Sequence, residues 1–100
     1  MIIFVDIDDT ICYSEESNLD YSKAKPYFKR INKINQLYNQ GNNIVYWTAR
    51  GTKTGIDWYK TTKEQLDKWG CKYNQLKMGK PVYDLFIDDK NINSDVFFNR

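Results

Sequence analysis

Ile2-Ile3-Phe4-Val5-Asp6-Ile7-Asp8-Asp9-Thr10-Ile11 carries an apolar run straight into three carboxylates and a hydroxyl. A short apolar and β-branched run of this kind reads as a strand buried on both faces, the mark of a parallel sheet rather than a half-exposed one. Carboxylates crowded at one strand end repel each other, so a cation is needed to hold them there, and a divalent metal is the natural candidate. The pattern recurs near the other end of the chain, where Leu85-Phe86-Ile87 runs into Asp88-Asp89-Lys90. Two acidic strand ends predict one shared metal site.

Between these ends the hydropathy pattern alternates between helix and strand. A polar loop from Tyr13 to about Lys25 leads to Pro26, a residue suited to the first turn of a helix. Tyr27, Phe28, Ile31, Ile34, Leu37 and Tyr38 recur at three- and four-residue steps, and Gly41 stands where a left-handed C-cap falls. Ile44-Val45-Tyr46-Trp47, ending in Thr48, predicts a second buried strand. A flexible loop over residues 49–56 precedes a second helix that starts between Asp57 and Thr61, with Thr61 and Glu64 spaced as a capping box for the later start. Its inner stripe is Tyr59, Thr62, Leu66 and Trp69, and Gly70 ends it. Residues 71–76 predict a weak third strand, residues 77–82 a loop, and residues 83–87 a stronger fourth strand. The tail from Asn91 to Arg100 predicts a short helix or turn that carries Val96, Phe97 and Phe98 onto the core. Alternating strands and helices with right-handed crossovers predict a parallel sheet covered by helices, in the strand order 3-2-1-4.

Composition bounds what such a fold can be. One hundred residues predict a single domain spanning 1–100, and 41% apolar content with no low-complexity tract marks a folding chain rather than a disordered one. No apolar stretch approaches the ~20 residues needed to cross a bilayer, and Asp6 interrupts the apolar N-terminus too early for a secretory signal, so a cytoplasmic protein without membrane partners is expected. Cys12 and Cys71, far apart and without any His, predict free thiols rather than a zinc site or a disulfide framework. Thirteen Lys or Arg lie between Lys23 and Lys80 against three acids, Asp57, Glu64 and Asp67. A basic middle suits an anionic ligand near an acidic pocket, but Lys-solvated helix surfaces are the preferred account of it, and nucleic acid is not the expected partner.

In an open parallel sheet ligands bind beyond the carboxyl ends of the strands where the strand order reverses, here between strands one and four. Both acidic strand ends meet at that point. Thr48 ends strand two and Lys80 precedes strand four, so an Asp able to act as nucleophile, a metal-binding pair, a hydroxyl donor and an ammonium converge. Phosphoryl transfer requires this equipment, because its catalysis is largely positioning and charge stabilisation.

Taken in order, Asp6-Ile7-Asp8-Asp9-Thr10, Thr48, Lys80 and Asp88-Asp89 resemble the four motifs of the haloacid dehalogenase superfamily of aspartyl phosphatases. More narrowly, Trp47-Thr48-Ala49-Arg50 with Gly79-Lys80-Pro81 and Asp84-Leu85-Phe86-Ile87-Asp88-Asp89-Lys90 is similar to compact phosphatases of capsular polysaccharide biosynthesis. The resemblance implies a Rossmann-like three-layer sandwich. It implies that Asp6 is the nucleophile and a Mg²⁺ ligand, and that Asp8 is the general acid and base, its backbone carbonyl also on the metal. It further implies that the Thr48 hydroxyl and the Ala49 amide bind phosphate, that Lys80 neutralises charge, and that Asp88 holds Mg²⁺ with Asp89 helping to hold or orient it. Arg50 reads either as a second contact to the substrate anion or as a surface arginine.

The family's usual cap insertions find no room here: about fifteen residues stand at the first insertion point and fewer at the second, so a capless, open site is expected. The small sheet makes a homo-oligomer a natural way to bury the remaining apolar surface. The expected activity is a Mg²⁺-dependent phosphomonoester hydrolase acting on a small phosphorylated metabolite, a sugar, polyol or amino-alcohol phosphate. The alternatives are a nucleotidase or nucleic-acid end phosphatase and, outside the enzymes, a receiver-like signalling module. A receiver places its accepting Asp on a middle strand, where this chain has Thr48.

Overall fold

The computed structural model describes residues 1–15 and 20–99. Strand β1 (Ile2–Val5) pairs in parallel with β4 (Asn43–Trp47), Ile3 opposite Ile44 and Val5 opposite Tyr46, and β4 pairs in parallel with β5 (Gln75–Lys77), Tyr46 opposite Leu76. Helix α1 (Phe28–Asn39) carries the chain from β1 to β4, and α2 (Tyr59–Lys68) carries it from β4 to β5. The result is a small Rossmann-like α/β arrangement in which the first three expected strands take their expected order, β5 beside β4 beside β1. No helix among the described residues is long and apolar enough to cross a membrane.

Side-chain alternation along β1 decides where the core lies. Ile3 and Val5 pack with Ile44 and Tyr46 against Ile31 and Ile34 of α1 and Leu66 and Trp69 of α2. Ile2 and Phe4, at the intervening positions, are 71% and 51% exposed. Two connections of the same hand put both helices on one face, so the described elements form two layers rather than the expected three.

Local chemistry explains the element boundaries. A short antiparallel pair, β2 (Cys12–Tyr13) with β3 (Lys25–Pro26), holds the chain extended through Pro26, and the Tyr27 amide donates to the Ile11 carbonyl at 2.8 Å. Helix α1 therefore starts at Phe28, not at Pro26. Its last turn closes on Gly41, whose φ of 94° lies in the left-handed region that a glycine tolerates without a Cβ clash. Asp57 accepts a hydrogen bond from the Tyr59 amide at 2.9 Å, so α2 takes the earlier start and Thr61 lies inside it; the capping box does not form at its N-terminus. Within the expected stripe Thr62, Leu66 and Trp69 are buried and Tyr59 is exposed.

Strand β5 is shorter than expected and begins later. The Lys72 amide donates to the Asn35 side chain of α1 at 2.8 Å, and the Asn74 side chain accepts from the Ile44 amide at 2.8 Å, so these residues are held on α1 and the start of β4 rather than in a regular ladder. The fourth strand departs further. The expected strand residues 83–87 form no strand, their side chains stand in solvent, and β1 has no partner on its second edge among the described residues. The tail does form a helix, α3 (Ser94–Phe98), capped by the Asn93 side chain on the Asp95 amide at 2.9 Å. It puts Phe97 and Phe98 on the core but leaves Val96 58% exposed. Residues 16–19 of the expected Tyr13–Lys25 loop, and Arg100 at the end of the tail, lie outside the described residues.

Candidate active site

A cavity of about 460 Å³ opens at the carboxyl ends of β1 and β4, and Asp6, Asp8, Thr48, Ala49, Arg50 and Lys80 all line it. The turn that follows β1 explains how its carboxylates come to share it. After Asp6 the chain folds back at once, with Thr10 and Ile11 donating to the Ile7 carbonyl at 3.1 and 2.9 Å and Asp9 in the left-handed region at φ 62°. Asp tolerates that conformation better than most residues, which gives the third carboxylate a backbone role.

Asp6 lies between two donors. Lys80 Nζ reaches its Oδ1 at 3.2 Å, and Thr10 Oγ1 reaches its Oδ2 at 3.1 Å. Burial acts to lower the pKa of the Lys80 ammonium, but the Asp6 carboxylate and the Tyr83 hydroxyl outweigh it and hold the group above its ordinary value. The ammonium also lies 5.6 Å from the Tyr83 ring and 5.8 Å from the Trp47 ring, near the range of cation–π attraction. The Lys80 amide donates to the Thr48 carbonyl at 3.0 Å, which fixes the 78–80 loop over the end of β4.

Asp8 is gripped by Arg50, whose Nε reaches Oδ2 and whose NH2 reaches Oδ1, each at 2.9 Å. The rest of the guanidinium is committed as well: NH1 donates to Thr62 Oγ1 at 3.1 Å and to Gln65 Oε1 at 2.6 Å, and NH2 also faces Cys12 Sγ at 3.8 Å. Five N–H donors meet five acceptors, and the side chain is 0% exposed. Arg50 is thus neither a surface arginine nor a free contact for a substrate anion, because its donors are spent on holding Asp8. Burial first, then the nearby Asp8 carboxylate, pushes the Cys12 thiol pKa up, so it stays a neutral donor beside Asp8 Oδ1 at 3.5 Å.

Thr48 is 1% exposed, and its hydroxyl oxygen accepts from the Arg50 amide at 3.1 Å. With the oxygen so used, the hydroxyl proton is free for an acceptor in the cavity. Asp88 and Asp89 are not brought here. Both are exposed and outside the cavity lining, and Asp88 accepts only from the nearby Lys90 amide at 3.2 Å. Among the described residues no three acidic, Cys or His side chains converge as a metal-binding group. Oxygen donors at Asp6 and Asp8 suit Mg²⁺, which takes one or two protein carboxylates together with water and substrate phosphate. The set nonetheless lacks Asp88 and Asp89, both of which were expected in it.

Thr10, Tyr21, Thr62, Gln65 and Tyr83 support the site, though the sequence gives none of them a stated role in it. Thr62 gave a signal: a hydroxyl on the apolar stripe of α2 implies a buried polar partner, here Arg50. No family model and no curated protein matches the sequence. A crystal structure of an MCSG target from Vibrio cholerae is similar to this chain, with a TM-score of 0.86 at 25% identity over 99% of this chain and 88% of that one.

Proposed function

We propose that this chain is a Mg²⁺-dependent phosphomonoester hydrolase in which Asp6 is the nucleophile. The observation that carries the reading is the Asp6–Lys80 pair at the end of β1, sharing one cavity with Asp8 and the Thr48 hydroxyl. A carboxylate attacks a phosphate dianion only where cations screen the repulsion, and Lys80 supplies one such charge.

A carboxylate oxygen of Asp6 attacks phosphorus in line, the bond from phosphorus to the leaving oxygen breaks, and Asp8 gives that oxygen a proton. Asp8 then takes a proton from water, the water oxygen attacks phosphorus, and the bond to Asp6 breaks to release inorganic phosphate and restore the free carboxylate. Oδ2 is the oxygen of Asp8 suited to this transfer, since Arg50 occupies one of its lone pairs whereas Oδ1 receives both Arg50 and Cys12. The Thr48 hydroxyl and the Ala49 amide bind the phosphate oxygens, and Lys80 offsets the charge that collects on them. Asp6 and Asp8 would hold Mg²⁺, which would supply further charge neutralisation when bound, whereas Asp88 and Asp89 of the same chain stand outside the cavity.

The resemblance to capsule-associated phosphatases points to a sugar, polyol or amino-alcohol phosphate, and a capless site leaves the cavity open to bulky esters. Phosphate release from a panel of sugar phosphates, nucleotides and 3′-phosphorylated oligonucleotides, with and without chelator, tests the reading. Turnover that Asp6→Asn abolishes and chelator suppresses is expected. Wild-type turnover by Asp6→Asn would overturn the covalent route, and a long-lived phosphorylated Asp6 without turnover would favour the signalling module.

A further inference from the structure

We propose that the functional unit is a pair of chains, each lending its residues 83–87 as a strand to the free edge of the other's β1, so that each site is completed by Asp88 and Asp89 of the partner chain. The exchange stands on the fold alone; its consequence for catalysis rests on the phosphatase reading above.

The segment has the composition of a buried strand and the exposure of an unpaired one. Tyr83, Phe86, Leu85 and Ile87 are 43%, 47%, 74% and 87% exposed. Apolar, aromatic and β-branched residues in such a run belong against another sheet surface. Strand β1 offers that surface: among the described residues it is hydrogen-bonded to β4 on one edge only, and Ile2 and Phe4 beside the open edge are exposed. An edge strand with unpaired backbone groups templates the addition of a further strand.

Chain length forbids the segment from filling that edge in its own molecule in the orientation the site needs. For Asp88 to arrive beside Asp6, the strand must run parallel to β1, entering at its amino end. Lys80 is pinned at the opposite, carboxyl end of the sheet by its amide on the Thr48 carbonyl and its ammonium on Asp6. Three peptide steps from Lys80 to Tyr83 span about 11 Å at full stretch. The descent along β1 alone needs about 13 Å before any sideways step. Parallel neighbours within one chain ordinarily need a connection of about a dozen residues or more. An antiparallel run within the same molecule is reachable, but it delivers Asp88 and Asp89 to the wrong end of β1. A second copy related by a twofold axis has no such constraint, because its segment arrives from outside and one rotation makes both exchanges equal.

The lending segment can reach out without unfolding its own molecule. Its far end is held by α3, where Arg30 of α1 meets Asp95 at 2.8 Å and Lys33 meets the Phe97 carbonyl at 3.2 Å. Residues 81–93 thus form a loop anchored at both ends, and every residue of 81–92 is exposed.

The wild-type chain is expected at twice its 12.0 kDa mass in light scattering behind a sizing column. Leu85→Asp with Ile87→Asp is expected to leave helical circular dichroism intact and halve that mass. A chain carrying Ile2→Cys mixed and refolded with one carrying Leu85→Cys should be joined by a short bis-maleimide into a two-chain product, a readout independent of activity. Mixing Asp6→Asn with Asp88→Asn should restore turnover to about a quarter of wild type, since half the random pairs are hybrids with one intact site of two. A monomeric wild type, or a mixture of the two cysteine chains that yields no two-chain product, would overturn the exchange. Cross-linking without restored turnover, where wild type is active, would overturn the shared site alone. An inactive wild type that still cross-links would uphold the exchange and count against the phosphatase reading.

Discussion

Arg50 holds both carboxylate oxygens of Asp8 at 2.9 Å from a position buried beneath the cavity. A planar fork is required, because the same guanidinium also serves Thr62 and Gln65 of α2 and stacks 4.8 Å from the Tyr21 ring. A lysine has one point charge and cannot span these acceptors. Arg50→Lys is expected to cut kcat by about tenfold or more through misplacement of Asp8. Arg50→Ala also leaves buried acceptors unpaired, a loss of about 2–4 kcal/mol that lowers Tm by about 10–25 °C. Thermal melts beside steady-state kinetics separate the two effects.

Lys80 is expected to matter for chemistry more than for folding. Its charge offsets Asp6 in the free protein and the phosphate during reaction, so Lys80→Ala should lower kcat/KM by about 10²- to 10³-fold. Because Asp6 holds the ammonium above its ordinary value of 10.5, the group is protonated across the neutral and mildly alkaline range. A raised pKa in the folded state favours folding below the unfolded value, and that contribution fades only as pH rises through the folded one. A pH–rate profile should therefore show no alkaline loss from Lys80 below about pH 10. Such a loss in wild type, absent from Lys80→Arg, would contradict this.

Much of this arrangement was legible in the chain because two local signals agree. Residues 2–8 combine an apolar run with carboxylates at its end, and residues 44–48 repeat the strand before a threonine; both strands and three lining residues, Asp6, Asp8 and Thr48, follow from them. The misreadings share a cause. Pro26, Cys71 and Tyr83 each begin segments whose local propensity is sound but whose partners are remote: Pro26 pairs with Cys12, residues 71–74 are tied to α1 and Ile44, and the 83–87 segment meets no strand edge among the described residues of its own molecule. Arg50 departs from expectation for a similar reason. Nothing within a few residues of it announces that Asp8, 42 positions earlier, needs its donors.

Gly51 fixes the turn immediately after this arginine. Its φ is 82°, and a Cβ built there meets the Ile56 carbonyl oxygen, a backbone atom that cannot step aside. The Gly55 amide closes the same loop on the Gly51 carbonyl at 2.8 Å. Gly51→Ala is expected to distort the 49–56 loop at a stability loss of about 1–3 kcal/mol and to weaken phosphate binding at the Ala49 amide. Gly55→Ala meets no neighbouring atom, so it serves as the control for the positive φ alone. A KM raised by the first variant and not by the second would mark the clash as the cause.

Alkaline pH should unfold this protein through its thiols. Burial pushes Cys71 from 9.0 up to about 12 and pushes Cys12 up as well. Unfolded thiols ionise near their ordinary value, so above about pH 9 the unfolded state binds fewer protons than the folded one and stability falls as pH rises. Each thiol so shifted contributes a slope approaching about 1.4 kcal/mol per pH unit in that range. Denaturant midpoints at pH 8, 9 and 10 should therefore decline, and Cys71→Ser with Cys12→Ala should flatten the decline. The same shift limits reactivity. At pH 8 the thiolate fraction of Cys71 falls about 10³-fold below that of an ordinary thiol, and alkylation of the folded protein should slow in proportion. Alkylation of Cys71 at the rate of free cysteine would mean that its burial, and with it the packing of residues 71–74 on α1, is lost in solution.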